Sequence, residues 1–247
     1  MLVTLITVVY NGEEHLEQTI KSVLNQTYVN TEYIIVDGGS TDRTIEIIKN
    51  YESQISTWIS EPDKGLYDAM NKGVDLANGE LIAMINSDDW YERNAVHSMV
   101  QAYKENPGYS IYHSDIFIIN QNGKKTLRKY NKSTFKFKYY GMTYHHPTMF
   151  ITAKEYRLHR YNTNLSIYSD YQLVLETFFR SSKSFFYVEI PTVNYRIGGI
   201  SAKTSIYKRI QESFLVRRNV GMNYLEILFA LFLELSVYVI YKLKIWN

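Results

Sequence analysis

Four short aliphatic and β-branched runs punctuate the first third of the chain: "LVTLITVVY" from Leu2, "EYIIVD" from Glu32, "ISTWIS" from Ile55 and "ELIAMI" from Glu80. Runs that are apolar without alternation suit strands buried on both faces. The segments between them carry a different period. "EEHLEQTIKSVLNQ" places Leu16, Ile20, Val23 and Leu24 at helical spacing. "STDRTIEIIKNY" reads as a second helix, with Ser40 or Thr41 as the expected N-cap and acids in its first turns. "LYDAMNKGVDLA" and "RNAVHSMVQAYKEN" are further helices, stopped by Asn78-Gly79 and Pro107-Gly108. Strands alternating with helices across short loops dictate right-handed βαβ crossovers and a parallel sheet.

The second half breaks that rhythm. "YSIYHSDIFIINQNGKKTLRKY" reads as a strand pair about Asn122-Gly123, "SDYQLVLETFFRS" as a helix and "SFFYVEIPTVNYR" as extended chain. The expected class is α/β: a Rossmann-related sheet, parallel in the N-terminal half and mixed in the C-terminal half, with C-terminal helices. Three stretches follow, residues 1–110, 111–205 and 206–247, without an internal repeat or a linker.

The 247 residues include no cysteine, which removes disulfides and thiolate metal sites and suits a reducing compartment. A net charge of +2 gives no footprint for nucleic acid. The first ten residues have no charged leader and read directly as a strand. "YLEILFALFLELSVYVIYKLKIW", from Tyr224, is about long enough to span a bilayer, but Glu226 and Glu234 interrupt it. Lys242 and Lys244 lie near its end. A helix lying on a membrane surface or against a partner is expected rather than a span, and packing on its own domain is the plainer alternative.

In an open parallel sheet, ligands bind beyond the carboxyl ends of the strands. Each run here ends in polar residues: "YNG", Asp37, "EPDKG" and "NSDD". Parallel strands point one way, so one shared site is expected. An ionised Asp37 accepts hydrogen bonds and donates none, which suits a base edge carrying an N–H such as uracil N3. Gly38 and Gly39 clear side chains from the approach of a planar ring. A cap on the next helix is the alternative for Asp37. Asp88 and Asp89 are adjacent acids that repel unless a cation or donors neutralise them. Mg2+ and Mn2+ take oxygen ligands, often one or two carboxylates with substrate phosphates. The pair therefore suggests a metal-bridged diphosphate, with a solvated acidic turn as the alternative. The chain has no GxxxxGK[ST], which excludes a P-loop, and no GxGxxG after the first run, which argues against a dinucleotide enzyme.

From about Thr4 to Trp90 the chain resembles the family 2 glycosyltransferases of GT-A fold. The likeness is carried by "TVVYNG", "EYIIVDGGSTDRT", "EPDKGLYDAMNKG" and "ANGELIAMINSDDW", and more loosely by "HHPTMF" and "YSDYQLVLETF". The resemblance implies roles position by position. Thr7, Val9, Tyr10 and Asn11 would lie at the uracil and ribose, with Tyr10 stacking on the base. Asp37 would take the uracil N3–H beside Gly38. Lys64, Gly65 and Asp68 would close over the nucleotide-sugar. Asp89 would hold the metal and Asp88 would face the ribose or sugar, while Asn86 or Ser87 stands where the family's D-x-D element has its first acid. Asp170 would be the catalytic base, with a helix N-cap as the alternative. His146 would lie near sugar and acceptor, or be a packed loop histidine. Arg196, in "YRIGGISA", would pair with the diphosphate from a loop, or belong to an ordinary surface loop.

The implied reaction is a single inverting displacement from a UDP-sugar, dependent on Mn2+ or Mg2+. The QxxRW signature of processive synthases is absent, so one sugar per encounter is expected. Residues 1–110 would bind the nucleotide-sugar, residues 111–205 would add acceptor and base within the same domain, and residues 206–247 would form a helical appendage. The acceptor is expected to be lipid-linked or an oligosaccharide, in capsule, O-antigen or exopolysaccharide synthesis. The expected location is cytoplasmic, peripheral at the inner face of the cytoplasmic membrane through the last helix, which could instead form a homodimer. Two alternatives stand against this. A nucleotidyltransferase is disfavoured by the acidic "YNGEEHL", and an inactive nucleotide-sugar-binding scaffold by the retention of Asp37, Asp88, Asp89 and Asp170.

Overall fold

Every residue of β1 (Val3–Val9) is buried, as a run without alternation requires. The computed structural model describes residues 1–198 and 204–245. After β1 come α1 (Leu16–Leu24), β2 (Thr31–Asp37), α2 (Thr44–Asn50), β3 (Thr57–Ser60), α3 (Leu66–Leu76), β4 (Leu81–Asn86), β5 (Trp90–Tyr91) and α4 (Ala95–Glu105). The second half supplies β6 (Ile111–Ile119), β7 (Lys125–Arg128), α5 (Thr134–Tyr139), β8 (Phe150–Thr152), α6 (Ala153–Leu158), α7 (Ser169–Arg180), β9 (Phe185–Arg196), α8 (Ile206–Asn219) and α9 (Tyr224–Ile245).

The described strands form one nine-stranded sheet in the order β3-β2-β1-β4-β8-β6-β9-β5, with β7 on β6. β1 to β4 are mutually parallel. β8 is antiparallel to both β4 and β6, and β9 runs parallel to β6. The predicted division into parallel and mixed halves therefore holds, and both halves belong to one sheet. The strand order reverses about β1, whose neighbours are β2 and β4. That is the switch point at which open α/β sheets leave a crevice. Register levels the strand ends there: Val9 lies opposite Asp37, Val8 opposite Asn86, and Asp37 opposite Ser60.

Alternate residues of the strands feed two apolar layers. Leu5 and Val9 join Leu16, Ile20, Val96 and Met99 of α1 and α4 on one face. Ile6 and Val8 join Met70, Leu173 and Val174 of α3 and α7 on the other. Each fully buried aliphatic side chain contributes about 1.5–3 kcal/mol relative to exposure, so the central strands are the stable frame on which the loops are hung.

Two local readings differ from expectation. Neither Ser40 nor Thr41 caps α2, which begins at Thr44. The Thr44 N–H donates to Asp42 Oδ1 at 3.0 Å, while Ser40 is drawn back onto Asp37. Asp170 is not an N-cap either: Tyr168 precedes α7, and Asp170 lies in its first turn.

Both acids of α9 turn toward the protein. Glu226 meets Lys138 at 3.4 Å, and Glu234 pairs at 2.8 Å with Arg217, which is fully buried. Among the described residues no helix is long and apolar enough to cross a membrane. The side chains of Lys242 and Lys244 lie outside the described residues, as do positions 199–203 of the "YRIGGISA" loop.

Candidate active site

The loops at the carboxyl edge are stitched to one another by backbone donors. Asn11, at a positive φ of 50°, turns the chain after β1. Its N–H donates to Ser40 Oγ at 2.7 Å, and its Oδ1 accepts the Thr41 N–H at 2.9 Å. The Gly12 N–H donates to Thr44 Oγ1 at 2.8 Å. These bonds fix the end of β1 against the end of β2.

Asp37 is the centre of that junction. It is fully buried, and its Oδ2 accepts from the N–H groups of Gly39 and Ser40, each at 3.0 Å, and from Ser60 Oγ at 2.7 Å. Its Oδ1 accepts the Ser40 hydroxyl. Four donors occupy an enclosed carboxylate, so Asp37 organises the loop from within and does not present the free acceptor expected for a base edge. Thr7 is also displaced from its expected place: it is fully buried, and its hydroxyl lies 3.0 Å from that of Tyr33. Val9 is buried and packs toward Gly12. Tyr10, by contrast, is 63% exposed, and its ring edge lies beside Gly38. Tyr10 thus presents an exposed ring at the end of β1.

The loop after β3 also reaches Gly38. A Cβ at Gly38 would lie 2.3 Å from Asp63 Oδ2, so a side chain there would displace that carboxylate. Asp63 Oδ1 in turn accepts the Gly65 N–H at 2.7 Å, and Asp68 Oδ2 accepts the Lys64 N–H at 3.1 Å. Asp68 thus shapes the loop, whereas Lys64 is exposed at its tip.

After β4 the chain turns through Asp88 and Asp89. Thr19 of α1 holds that turn, its hydroxyl donating to the carbonyls of Ser87 at 2.9 Å and Asp89 at 2.6 Å. Asp89 is fully buried. Its Oδ1 accepts the Arg196 N–H at 2.9 Å, and its Oδ2 accepts Asn86 Nδ2 at 3.0 Å. Burial first, and the neighbouring Asp88 charge second, push the Asp89 carboxyl up to about 8. Burial also raises Asp88, against the opposing pull of His15 and Arg196. Asp88 is only partly buried, and its carboxylate takes no hydrogen bond from another described side chain. Asp88 is thus the less buried acid of the pair, and Asp89 anchors the turn.

Arg196 ends β9 and clasps the same turn. Its Nε donates to the Asp88 carbonyl at 3.2 Å, its Nη2 donates to Gln18 Oε1 at 2.9 Å, and its guanidinium lies 5.0 Å from the Trp90 ring centroid. The group expected to meet a diphosphate is engaged in holding the acidic turn.

Asp170 reaches the site from α7. Its Oδ1 accepts the Tyr67 hydroxyl at 3.1 Å and the Tyr171 N–H at 2.8 Å, while Oδ2 takes no hydrogen bond among the described residues. His146 lies close enough for the Asp170 charge to act on it, although burial dominates and lowers its proton affinity. Its Nε2 is 2.9 Å from the Tyr161 hydroxyl. Tyr195, one residue before Arg196, ties the acids together. Its hydroxyl is raised by burial and then by Asp89, Asp88 and Asp170 in turn. The acidic turn and Asp170 thus both lie within electrostatic reach of Tyr195. Sequence reasoning passed over Tyr67, Asp63 and Tyr195, although each stands inside or beside a motif that it singled out.

A carboxylate pair that raises its own proton affinity suits a hard divalent cation, with Asp88 as the protein ligand offered to it. Among the described residues no cluster of three or more His, Cys, Asp or Glu forms a complete cage. Such a cation would therefore complete its shell with phosphate oxygens and water, which is usual for Mg2+.

The model of the Glycosyl transferase family 2 matches residues 4–159. The putative glycosyltransferase EpsH of Bacillus subtilis is 28% identical over 247 residues, spanning 91% of this chain and 69% of the relative. The putative teichuronic acid biosynthesis glycosyltransferase TuaG of the same organism is 33% identical over 123 residues, spanning 46% of this chain and 49% of the relative. Among solved structures, Staphylococcus aureus TarS 1-349 in complex with UDP-GlcNAc superposes with a TM-score of 0.74 at 15% identity, covering 95% of this chain and 72% of that one.

Proposed function

The chain belongs to glycosyl transferase family 2, and from that premise we propose that it transfers one sugar at a time, with inversion, from a UDP-sugar to a lipid-linked or oligosaccharide acceptor in bacterial surface-polysaccharide synthesis. The observation that supports this reading is the acidic turn after β4, at the carboxyl edge of the parallel strands, whose Asp88 and Asp89 act with Asp170 of α7 on the Tyr195 hydroxyl. TuaG, named for teichuronic acid biosynthesis, supports the polysaccharide setting, and the UDP-GlcNAc bound to TarS supports the donor class.

The chemistry follows from placement. The uracil lies against the exposed ring of Tyr10, and the diphosphate runs toward the Asp88 turn. Asp170 Oδ2, the oxygen left open, takes the proton of the acceptor hydroxyl. The acceptor oxygen bonds to the anomeric carbon as the bond from that carbon to the diphosphate oxygen breaks. UDP leaves with the electron pair, and the configuration inverts. Asp88, with Asp89 behind it, would hold a divalent cation, Mg2+ or Mn2+, which would supply positive charge against the charge on the departing diphosphate. Tyr67 fixes Asp170, and Asp63 with Asp68 shapes the loop that covers the donor. The protein works in the cytoplasm at the inner face of the membrane, where nucleotide-sugar and lipid-linked acceptor meet, with α9 as its attachment.

The test is mass spectrometry of lipid-linked and oligosaccharide acceptors incubated with a panel of UDP-sugars and Mn2+. One added sugar with stoichiometric UDP release is expected. Tight UDP-sugar binding without transfer to any acceptor would return the chain to the scaffold alternative.

A further inference from the structure

The face of α9 that turns away from the protein is a continuous apolar stripe. Leu225, Leu228, Phe232, Leu235 and Val239 follow at alternating steps of three and four, and all are at least 40% exposed. The acids that interrupt this helix in sequence are on the other face, engaged with Lys138 and Arg217. Helix α5 packs beside it: Phe135 and Tyr139 set their rings 6.3 Å and 5.5 Å from that of Phe229. Phe135 and Tyr140 of this neighbouring segment are themselves exposed.

The segment leading into and through α5 has a one-sided charge. From Lys124 to Lys138 the sequence holds seven Lys or Arg and no Asp or Glu. Lys125, Lys129 and Lys138 are paired with Glu92, Glu189 and Glu226. Lys132 and Lys136 are exposed and make no ion pair among the described residues, although Lys132 lies 5.2 Å from the Tyr187 ring centroid. Exposed cations flanking an exposed apolar stripe are complementary to an anionic bilayer. The phosphates attract the lysines, and the acyl boundary receives the aliphatic and aromatic side chains.

We propose that α5 and α9 form a composite docking surface for an anionic lipid bilayer, with Lys132 and Lys136 supplying the lipid-charge selectivity and the Leu225–Val239 stripe the insertion. This deepens the membrane attachment proposed above and rests on it for its purpose. The surface is also wired to the site. The Tyr171 hydroxyl donates to the Phe137 carbonyl at 2.5 Å, and Tyr171 directly follows Asp170. Arg217 Nε donates to the Lys138 carbonyl at 3.2 Å. Tyr171 thus ties α5 to the first turn of α7, next in sequence to Asp170.

The experiment sediments the full chain with vesicles of phosphatidylcholine alone, or of phosphatidylcholine mixed with phosphatidylglycerol, in the absence of nucleotide-sugar. Strong binding to the mixed vesicles is expected, weakening as salt is raised. Lys132→Ala and Lys136→Ala should each weaken it about fivefold. Leu228→Ser with Phe232→Ser should remove binding to both vesicle types. Equal affinity for neutral and anionic vesicles, or no vesicle binding at all, would overturn the proposal. So would a stable dimer by light scattering that Leu228→Ser with Phe232→Ser dissolves, because the occupant would then be a second copy. UDP-sugar binding, measured by calorimetry without vesicles, should be the same in all these variants. Its absence from the unmodified protein would sink the transferase reading while leaving the vesicle result to stand by itself.

Discussion

The hydroxyl of Tyr67 donates to Asp170 Oδ1 at 3.1 Å, joining the first turn of α3 to the first turn of α7. Tyr67 is 4% exposed, and its hydroxyl is raised well above the usual tyrosine range, by burial first and by Asp170 second. It therefore stays protonated and can only serve Asp170 as a donor. With the Tyr171 N–H on the same oxygen, Oδ2 takes no hydrogen bond among the described residues. Asp170→Asn should retain UDP-sugar binding and lose roughly a hundredfold to ten-thousandfold in transfer, the usual contribution of a positioned base. Tyr67→Phe should lower kcat by roughly tenfold, the cost of one hydrogen bond to a charged group, with KM for the donor unchanged. Steady-state kinetics on both variants checks the pair. A Tyr67→Phe enzyme that altered only KM would assign the tyrosine to the donor instead.

The different burial of Asp88 and Asp89 gives opposite expectations for two neighbouring substitutions. With the less buried Asp88 as the proposed metal ligand, Asp88→Asn should abolish Mn2+-dependent UDP-sugar binding with thermal stability intact. Asp89 accepts from the Arg196 N–H and from Asn86 while fully buried. Asp89→Asn places a donor against one of those donors and should cost about 1–3 kcal/mol of stability. Titration calorimetry with and without Mn2+, beside thermal melts, separates them. A stable Asp89→Asn protein that alone loses the metal dependence would restore the order expected from the sequence.

Legibility of this fold from sequence followed burial. β1, β2 and β4 were plain because a strand covered on both faces is apolar throughout, and the helices were plain wherever one face met the sheet. β5 was not, because a strand of two residues is held by its neighbours and has no period of its own. The misplaced N-cap of α2 has a similar origin. Ser40 has the chemistry of a cap, but Asp37 recruits it, and nothing in "GGSTD" distinguishes the two uses. The site showed the same division. Asp37, Asp88 and Asp89 were legible from their positions at strand ends and Asp170 only through the family resemblance, whereas the hydrogen bonds of Asp89 and Asp170 depend on Arg196 and Tyr67, which arrive from elements distant in sequence.

The contact between Gly38 and Asp63 can be tested by a double-mutant cycle. The methyl of Gly38→Ala would meet Asp63 Oδ2 at 2.3 Å and push aside the carboxylate that holds the Gly65 N–H. Donor affinity should fall roughly tenfold as the covering loop loosens, with global stability changed by less than about 1 kcal/mol. In an Asp63→Ala background the same Gly38→Ala change should cost little more, because the obstructing group is gone. Full additivity of the two losses would show that Gly38 matters to the ligand directly and not through Asp63.

A further prediction concerns stability against pH. His113 of β6 is buried among Tyr130, Tyr144 and Tyr187, at ring-centroid distances of 4.5, 4.8 and 5.5 Å. Its Nδ1 has no hydrogen-bond partner among the described residues. Burial first, and the nearby His145 second, lower its pKa to about 3. Asp115, the acid of the same strand, is held by the Tyr187 hydroxyl and the Tyr130 N–H. The sign follows from proton counting. Below the ordinary histidine value of about 6.5 the unfolded chain binds a proton that the folded chain refuses, so stability falls as pH drops from about 6.5 toward about 3. At pH 5 the loss from this one group is about 2 kcal/mol. His113→Phe keeps an aromatic ring in the cage and removes the titration. Urea unfolding at pH 7 and at pH 5 should show the variant gaining about 2 kcal/mol on the unmodified protein between the two conditions. Parallel losses in both proteins would place the acid sensitivity elsewhere in the chain.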